Sequence, residues 1–131
     1  MDCIFCKIIS GDIPTDKIYA DEHTLAFLDI PPVNFGHTLV VPKQHFRNVF
    51  DIPVDVWQSV LSTAHRLAPF VRDAVSAEGV NISSSNEPSA GQTVFHSHTH
   101  IIPRFAGDGH VSWTQKKYPE GDATKVAERI R

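Results

Sequence analysis

The sequence predicts an α+β domain: a five-stranded antiparallel sheet carrying one long helix and a short N-terminal helix. Three observations predict it. Short apolar runs are bounded by turn residues at hairpin spacing, one stretch of about six turns repeats its apolar residues at helical period, and the βαβ alternation of a parallel sheet is missing. The 131 residues are one domain's worth, and 41% apolar with 21% charged residues sits in the ordinary range of folded proteins. A single domain over 1–131 is expected.

Residues 3–10 read as a short helix closed by Gly11. Strands follow at about 17–21 and 24–30, where Leu25 and Phe27 alternate with Ala26 and Leu28; Pro31-Pro32 stops the second. After a loop through Asn34 and Gly36, His37-Thr38-Leu39-Val40-Val41 forms a third strand that Pro42 ends. From Asp51 the period changes: Trp57, Val60, Leu61, Ala64, Leu67, Val71 and Val75 recur at helical spacing, with Pro53 suited to the start, Pro69 a disturbance and Gly79 the close. Residues 80–85 and 94–103 read as the last two strands, joined by the turn-rich 86–91, and 123–130 as a terminal helix.

Twelve Lys+Arg against 15 Asp+Glu give a net charge of −3, and the longest basic run is Lys116-Lys117. Binding driven by a nucleic-acid backbone is disfavoured. The start, Met1-Asp2-Cys3-Ile4, carries no basic segment followed by an apolar one, and no window approaches the ~18 apolar residues of a membrane span. A soluble, cytoplasmic protein without a membrane partner is expected.

Eight His outnumber seven Gly, so imidazole chemistry is the first lead. It concentrates in Gln92-Thr93-Val94-Phe95-His96-Ser97-His98-Thr99-His100-Ile101-Ile102. On a strand, His96, His98 and His100 share one face with successive backbones roughly 6.7 Å apart. Three rings on an unbent strand reach a single ion only with difficulty, which suggests divided roles. Three chance histidines would carry the cost of crowding ionisable rings. A metallohydrolase cluster lacks its carboxylate. Nucleophilic attack on phosphorus needs a neutral imidazole oriented by a carbonyl and a second imidazole beside the phosphate, and Gly91-Gln92-Thr93 supplies further donors. Cys3-x-x-Cys6 reads as a metal clip or a redox pair; the thioredoxin reading needs a βαβ setting that this chain lacks.

His96-x-His98-x-His100-Ile101-Ile102, with Gly91-Gln92 before it and Pro103-Arg104 after it, resembles the histidine triad (HIT) family. Cys3-Ile4-Phe5-Cys6-Lys7-Ile8-Ile9, Ile13-Pro14, Ala26-Phe27-Leu28-Asp29-Ile30 and Gly36-His37-Thr38-Leu39-Val40-Val41-Pro42-Lys43 are similar to segments of its Hint-like branch. The motifs cover about 1–105, leaving 106–131 as a C-terminal extension without a motif. Ser97 and Thr99 depart from the pattern, since the family places apolar residues there.

The resemblance implies a HIT-like fold and a homodimeric nucleotide hydrolase or transferase acting at the α-phosphate, with a purine nucleotide or nucleoside monophosphate conjugate as partner. It implies His98 as the nucleophile, His100 at the phosphate, the His96 carbonyl as the acceptor that orients His98, and His37 as a supporting histidine. Asp29 would hold the ribose hydroxyls, Phe5, Phe27 and Ile30 would lie near the base, and Asn86, Gln92 and Thr93 near the phosphate. Zinc-bearing relatives imply one structural zinc per chain held by Cys3, Cys6, His45 and His96, and no organic cofactor. The expected activity is hydrolysis of nucleoside phosphoramidates or related nucleotidyl esters. Fhit-like cleavage of dinucleoside polyphosphates and a nucleotide-binding regulatory module are the rivals. His23, His65 and His110 read as bystanders, Trp57 as helix core, and Trp113 as packing of the tail.

Overall fold

The structure, a computed structural model, describes residues 2–131. Its elements are α1 (Ile4–Ser10), β1 (Lys17–Ala20), β2 (Thr24–Leu28), β3 (Thr38–Pro42), α2 (Val54–Ala74), β4 (Gly79–Ser83), β5 (Thr99–Arg104) and α3 (Asp122–Ile130). The strands form one five-stranded sheet in the order β1-β2-β3-β5-β4, antiparallel throughout.

Alternation along the strands sends neighbouring side chains to opposite faces. Ala26, Val40 and Ile101 pack under Val60, Ala64, Leu67 and Val71 of α2. Leu25, Phe27, Leu39 and Val41 meet Cys3, Phe5 and Ile8 on the other face. Covered on both sides, β2 and β3 are almost wholly buried, which is why their sequences are nearly continuous apolar runs. The α1 side is where the chemistry sits, because His100 is paired with Leu39 in the register of β5 on β3.

Most strand ends shift by one or two residues from the sequence reading, and three differences go further. Helix α2 ends at Ala74, where Ser76 turns left-handed (φ 55°) and the Ala77 N–H returns to the Arg72 carbonyl. Gly79 therefore opens β4. Pro69 lies inside α2 without interrupting it; Pro69 and His65, whose carbonyl loses its intrahelical donor, both face solvent, so water can serve that oxygen. The third difference matters most: β5 begins at Thr99, so of the three triad histidines only His100 stands in the ladder. Residues 94–96 bend, and the Ser97 N–H donates to the Phe46 carbonyl at 2.7 Å instead of to a neighbouring strand.

Gly36 shows why the loop before β3 has one sequence solution. Its φ is +93°, and a Cβ there would lie 3.0 Å from Val75 Cγ1 and 3.3 Å from Pro103 Cγ. Both the conformation and the close approach favour glycine. Beyond β5, the region that carried no sequence motif is tied down as far as His110: Asp108 accepts from Arg104 Nε at 2.7 Å and Nη2 at 3.0 Å, and from Asn34 Nδ2 at 3.0 Å. The Arg104 guanidinium, two backbone N–H groups and the Asn34 amide hold the Asp108 carboxyl far below the usual carboxylate range. Trp113, expected to pack the tail, is instead 94% exposed.

Candidate active site and metal centre

The imidazoles between 96 and 100 have their tautomers fixed by their neighbours. His96 Nε2 lies 2.8 Å from the carbonyl oxygen of Pro42, at the end of β3. A carbonyl can only accept, so Nε2 carries the proton and Nδ1 presents a lone pair. His98 Nδ1 lies 2.7 Å from the His96 carbonyl oxygen, which leaves the lone pair of His98 on Nε2. For His100 the answer comes from one residue further back. The Val33 N–H donates to His37 Nδ1 at 3.1 Å, so His37 holds its proton on Nε2 and donates it to His100 Nδ1 at 2.8 Å. His100 therefore keeps its own proton on Nε2.

His98 and His100 open onto a cavity of about 310 Å³ that Phe5, Phe27, Asp29, Ile30 and Thr93 also line. The two imidazole rings are 5.0 Å apart between centroids, and Phe5 meets the His98 ring edge-on at 5.0 Å. Asp29 Oδ2 lies 3.7 Å from His37 Nε2. A lone pair, an N–H donor and a carboxylate thus converge on one largely apolar pocket.

Burial holds these imidazoles neutral. It pushes His100 down to about 4, assisted by His98 and His37, and lowers His98 against the opposing effects of the His96 carbonyl and Asp29. His37 is lowered by burial as well, with Asp29 working the other way. Between pH 6.5 and 4 the unfolded chain therefore binds a proton at His100 that the folded chain refuses. Stability is expected to be fully present above pH 6.5 and to fall as pH drops toward 4, by up to about 1.4 kcal/mol per pH unit from this group. Denaturant unfolding at pH 7, 6 and 5 checks this, with His100→Gln expected to flatten the slope.

The ring of His96 turns away from the cavity toward a second cluster. Its Nδ1 lies 3.5 Å from Cys3 Sγ, 3.6 Å from Cys6 Sγ and 3.1 Å from His45 Nδ1, and Cys6 Sγ lies 3.4 Å from His45 Nδ1. These four atoms, all within 4.8 Å of one another, could hold a metal ion. For tetrahedral zinc with Zn–S about 2.3 Å and Zn–N about 2.0–2.1 Å, the edges come to roughly 3.3 Å between nitrogens and 3.6 Å between nitrogen and sulfur. The distances found match that figure, and His96 already aims a lone pair inward. Burial, and then Cys3, push the Cys6 thiol up, so a cation beside it is what would keep that sulfur a thiolate.

Asp29, His37 and His100 also meet the spacing for a metal site. Their hydrogen bonds argue for a different use. To ligate through Nε2, His37 would need its proton on Nδ1, where it would face the Val33 N–H, donor against donor. This group is a hydrogen-bond relay.

Two residues expected on the phosphate side, Gln92 and Asn86, do not line this cavity. Gln92 Oε1 accepts from Asn48 Nδ2 (3.1 Å) and the Glu87 N–H (2.8 Å), while Nε2 donates to the carbonyls of Arg47 (2.7 Å) and Val94 (3.1 Å). Saturated in this way, its amide braces the loop and does not line the cavity. Asn86 likewise accepts from the Val49 N–H at 2.8 Å and stands outside the cavity. The sequence reading missed their partners. Asn48 is 1% exposed and also reaches Glu87, which Arg47 grips with Nε at 2.7 Å and Nη2 at 2.9 Å. Arg47 and Asn48 hold the Glu87 carboxyl down at about 2. These contacts join residues about forty positions apart, and no local pattern announces them. Thr99, a departure from the family pattern, is buried with its hydroxyl 2.9 Å from that of Ser84, so the polar group has a partner.

The model of the HIT domain matches residues 10–107. The protein named "Protein hit" from Bacillus subtilis (strain 168) is 50% identical over 109 residues, covering 82% of this chain and 75% of the relative. An Arabidopsis thaliana protein named "Adenylylsulfatase HINT3" is 38% identical over 103 residues, 79% of this chain and 52% of its own length. Among solved structures, a Streptococcus mutans UA159 protein superposes with a TM-score of 0.93 at 43% identity, covering 98% of this chain and 83% of that one. A Zn-bound histidine triad family protein from Mycobacterium smegmatis does so with a TM-score of 0.80 at 36% identity, covering 100% and 99%. With the five-stranded sheet and the histidines in place, the chain belongs to the HIT domain family.

Proposed function

We propose that the protein cleaves nucleoside phosphoramidates or related nucleotidyl esters at the α-phosphate through a covalent nucleotidyl-His98. The observation that carries this reading is the 2.7 Å bond from His98 Nδ1–H to the His96 carbonyl, which leaves Nε2 unprotonated at the cavity. A bond forms from Nε2 to phosphorus as the bond to the leaving amine, sulfate or phosphate breaks. Water then cleaves the phosphorus–nitrogen bond to His98 and releases the nucleoside monophosphate. His100 donates Nε2–H to a phosphate oxygen, and Thr93 lies on the same wall. Asp29 takes the ribose hydroxyls, and Phe5, Phe27 and Ile30 receive the base of a purine nucleotide. Asn86 and Gln92 act on the phosphate side only through the loop they hold. Most of the acceleration comes from positioning and from donors around the phosphate.

A panel of adenosine phosphoramidate, adenylyl sulfate and a dinucleoside polyphosphate, read by product mass, tests the substrate class. The phosphoramidate is expected to turn over fastest. Faster cleavage of the dinucleoside polyphosphate would favour the Fhit-like alternative, and tight nucleotide binding with negligible turnover would favour a regulatory binding module.

The resident metal of this reading is one zinc at Cys3, Cys6, His45 and His96, a structural ion that takes no part in the transfer. The protein works as a cytoplasmic homodimer. Strand β4 ends the sheet with an open edge, and Leu61 and Phe70 of α2 lie exposed, so a second copy can cover both. Sedimentation at micromolar concentration is expected to show twice the 14.6 kDa chain mass; a species at the chain mass alone would remove this assignment.

A further inference from the structure

The relay that sets the proton on His100 does not begin at His37. His37 Nδ1 is held by the Val33 N–H, and Val33 lies in an exposed loop with no strand to fix its direction. The loop closes its own turn, with the His37 N–H donating to the Asn34 carbonyl at 3.0 Å, and it is anchored from outside by the end of β5 and the segment that follows. Asn34 Nδ2 donates to the Pro103 carbonyl at 2.8 Å and to Asp108 Oδ2 at 3.0 Å. His110 Nε2–H reaches the Val33 carbonyl at 3.2 Å. Asp108 is clamped in turn by Arg104 and by the N–H groups of Phe105 and His110. The side chain of Asp108 is 7% exposed and accepts from Arg104, Asn34 and two backbone N–H groups at once, so its position at the centre of this knot is set by several bonds together.

We propose that Asp108 and Asn34 are positioning residues for nucleotidyl transfer: they aim the Val33 N–H at His37 and so keep His100 a hydrogen-bond donor toward the phosphate. The proposal rests on the reading of the triad given above. Its logic is a two-position switch. With the Val33 N–H in place, the protons sit on Nε2 of His37 and Nε2 of His100. Without it, His37 can move its proton to Nδ1 and accept from His100 Nδ1–H. His100 Nε2 then carries a lone pair facing an anionic oxygen, and an attraction becomes a repulsion. No residue of the triad has changed, yet the site has lost a donor.

The test is histidine-labelled ¹⁵N NMR of the full chain at pH 7, which shows which ring nitrogen is protonated, alongside steady-state kinetics on adenosine phosphoramidate. Asn34→Ala cuts the link while leaving the Arg104–Asp108 pair intact; Asp108→Asn weakens the knot itself. In the parent chain His37 and His100 are expected as Nε2–H and His98 as Nδ1–H. In both variants His37 and His100 should gain Nδ1–H character together while His98 stays unchanged. The value of kcat should fall about tenfold with KM within about twofold, part of the 10²–10³-fold that losing a whole donor costs. Should Asp108→Asn fail to fold, Asn34→Ala alone decides. Unchanged His37 and His100 tautomers in the folded variants would overturn the proposal, as would shifted tautomers with parental kcat. The NMR reads the unliganded chain, so it is independent of the transfer reading. That reading fails separately if the parent chain turns over no nucleotide substrate.

Discussion

His98→Ala is expected to lose turnover by on the order of 10⁴-fold or more while still binding nucleotide. The cavity keeps Phe5, Phe27, Asp29, Ile30 and His100, so the groups that would hold base, ribose and phosphate remain. What goes is the imidazole lone pair that His98 presents to the cavity, the one the proposed route uses on phosphorus. His100 cannot replace it, because His100 Nδ1 is occupied by His37 and its Nε2 carries the proton. The parent chain, quenched within its first turnovers and weighed intact, is expected to carry one nucleotide monophosphate, and His98→Ala none. Near-parental turnover by His98→Asn, or no adduct with any good substrate, would refute the covalent route.

Removal of the metal is expected to cost stability far more than chemistry. Elemental analysis should give one zinc per chain. Chelation, or Cys6→Ser, should lower Tm by roughly 10 °C or more, the scale of losing a few kcal/mol in a domain of this size. The four candidate donors come from the start of α1, the loop after β3 and the bend before β5, so an ion held there would close three segments distant in sequence onto one point. Below the new Tm, kcat should stay within about tenfold, because the bond that orients His98 uses a backbone carbonyl. Two freely titratable thiols with well under one zinc per chain would remove the metal from the account, and parental Tm after complete removal would show that it does not support the fold.

The alternation Leu25, Ala26, Phe27 and the helical spacing of Val60, Ala64, Leu67 and Val71 made the sheet and its helix legible, because each pattern is written in neighbouring residues. The short helix was legible for the same reason, with Gly11 (φ +88°) closing it as read. The triad was found by its residue types, but its geometry was not. Alternating histidines look like a strand, whereas His96 ends a bend and His98 follows it ahead of β5, a path held by the Phe46 carbonyl and by Gln92, neither of which a local pattern can weigh. Gln92 was placed at the phosphate because of where it stands in the motif. Only the positions of Asn48, Glu87 and Arg47 show that its amide is already used. The knot of Arg104, Asp108 and Asn34 was invisible because its centre, Asp108, stands in the stretch without a motif and meets Asn34 across 74 positions.

His96 divides its labour between two kinds of atom. Its ring serves the cysteine cluster, and its carbonyl serves His98. Every amino acid owns a carbonyl, so the bond that orients the His98 ring survives any change of side chain at 96 that leaves the bend intact. The two functions are therefore separable under mutation: the four metal donors can drift together toward an apolar core without passing through a catalytically dead intermediate. By contrast, the proposed route asks His98 for both the N–H that is oriented and the lone pair that attacks, and only an imidazole carries both on one ring. Sequence change over long times should consequently be steeper at Cys3, Cys6 and His45 than at His98.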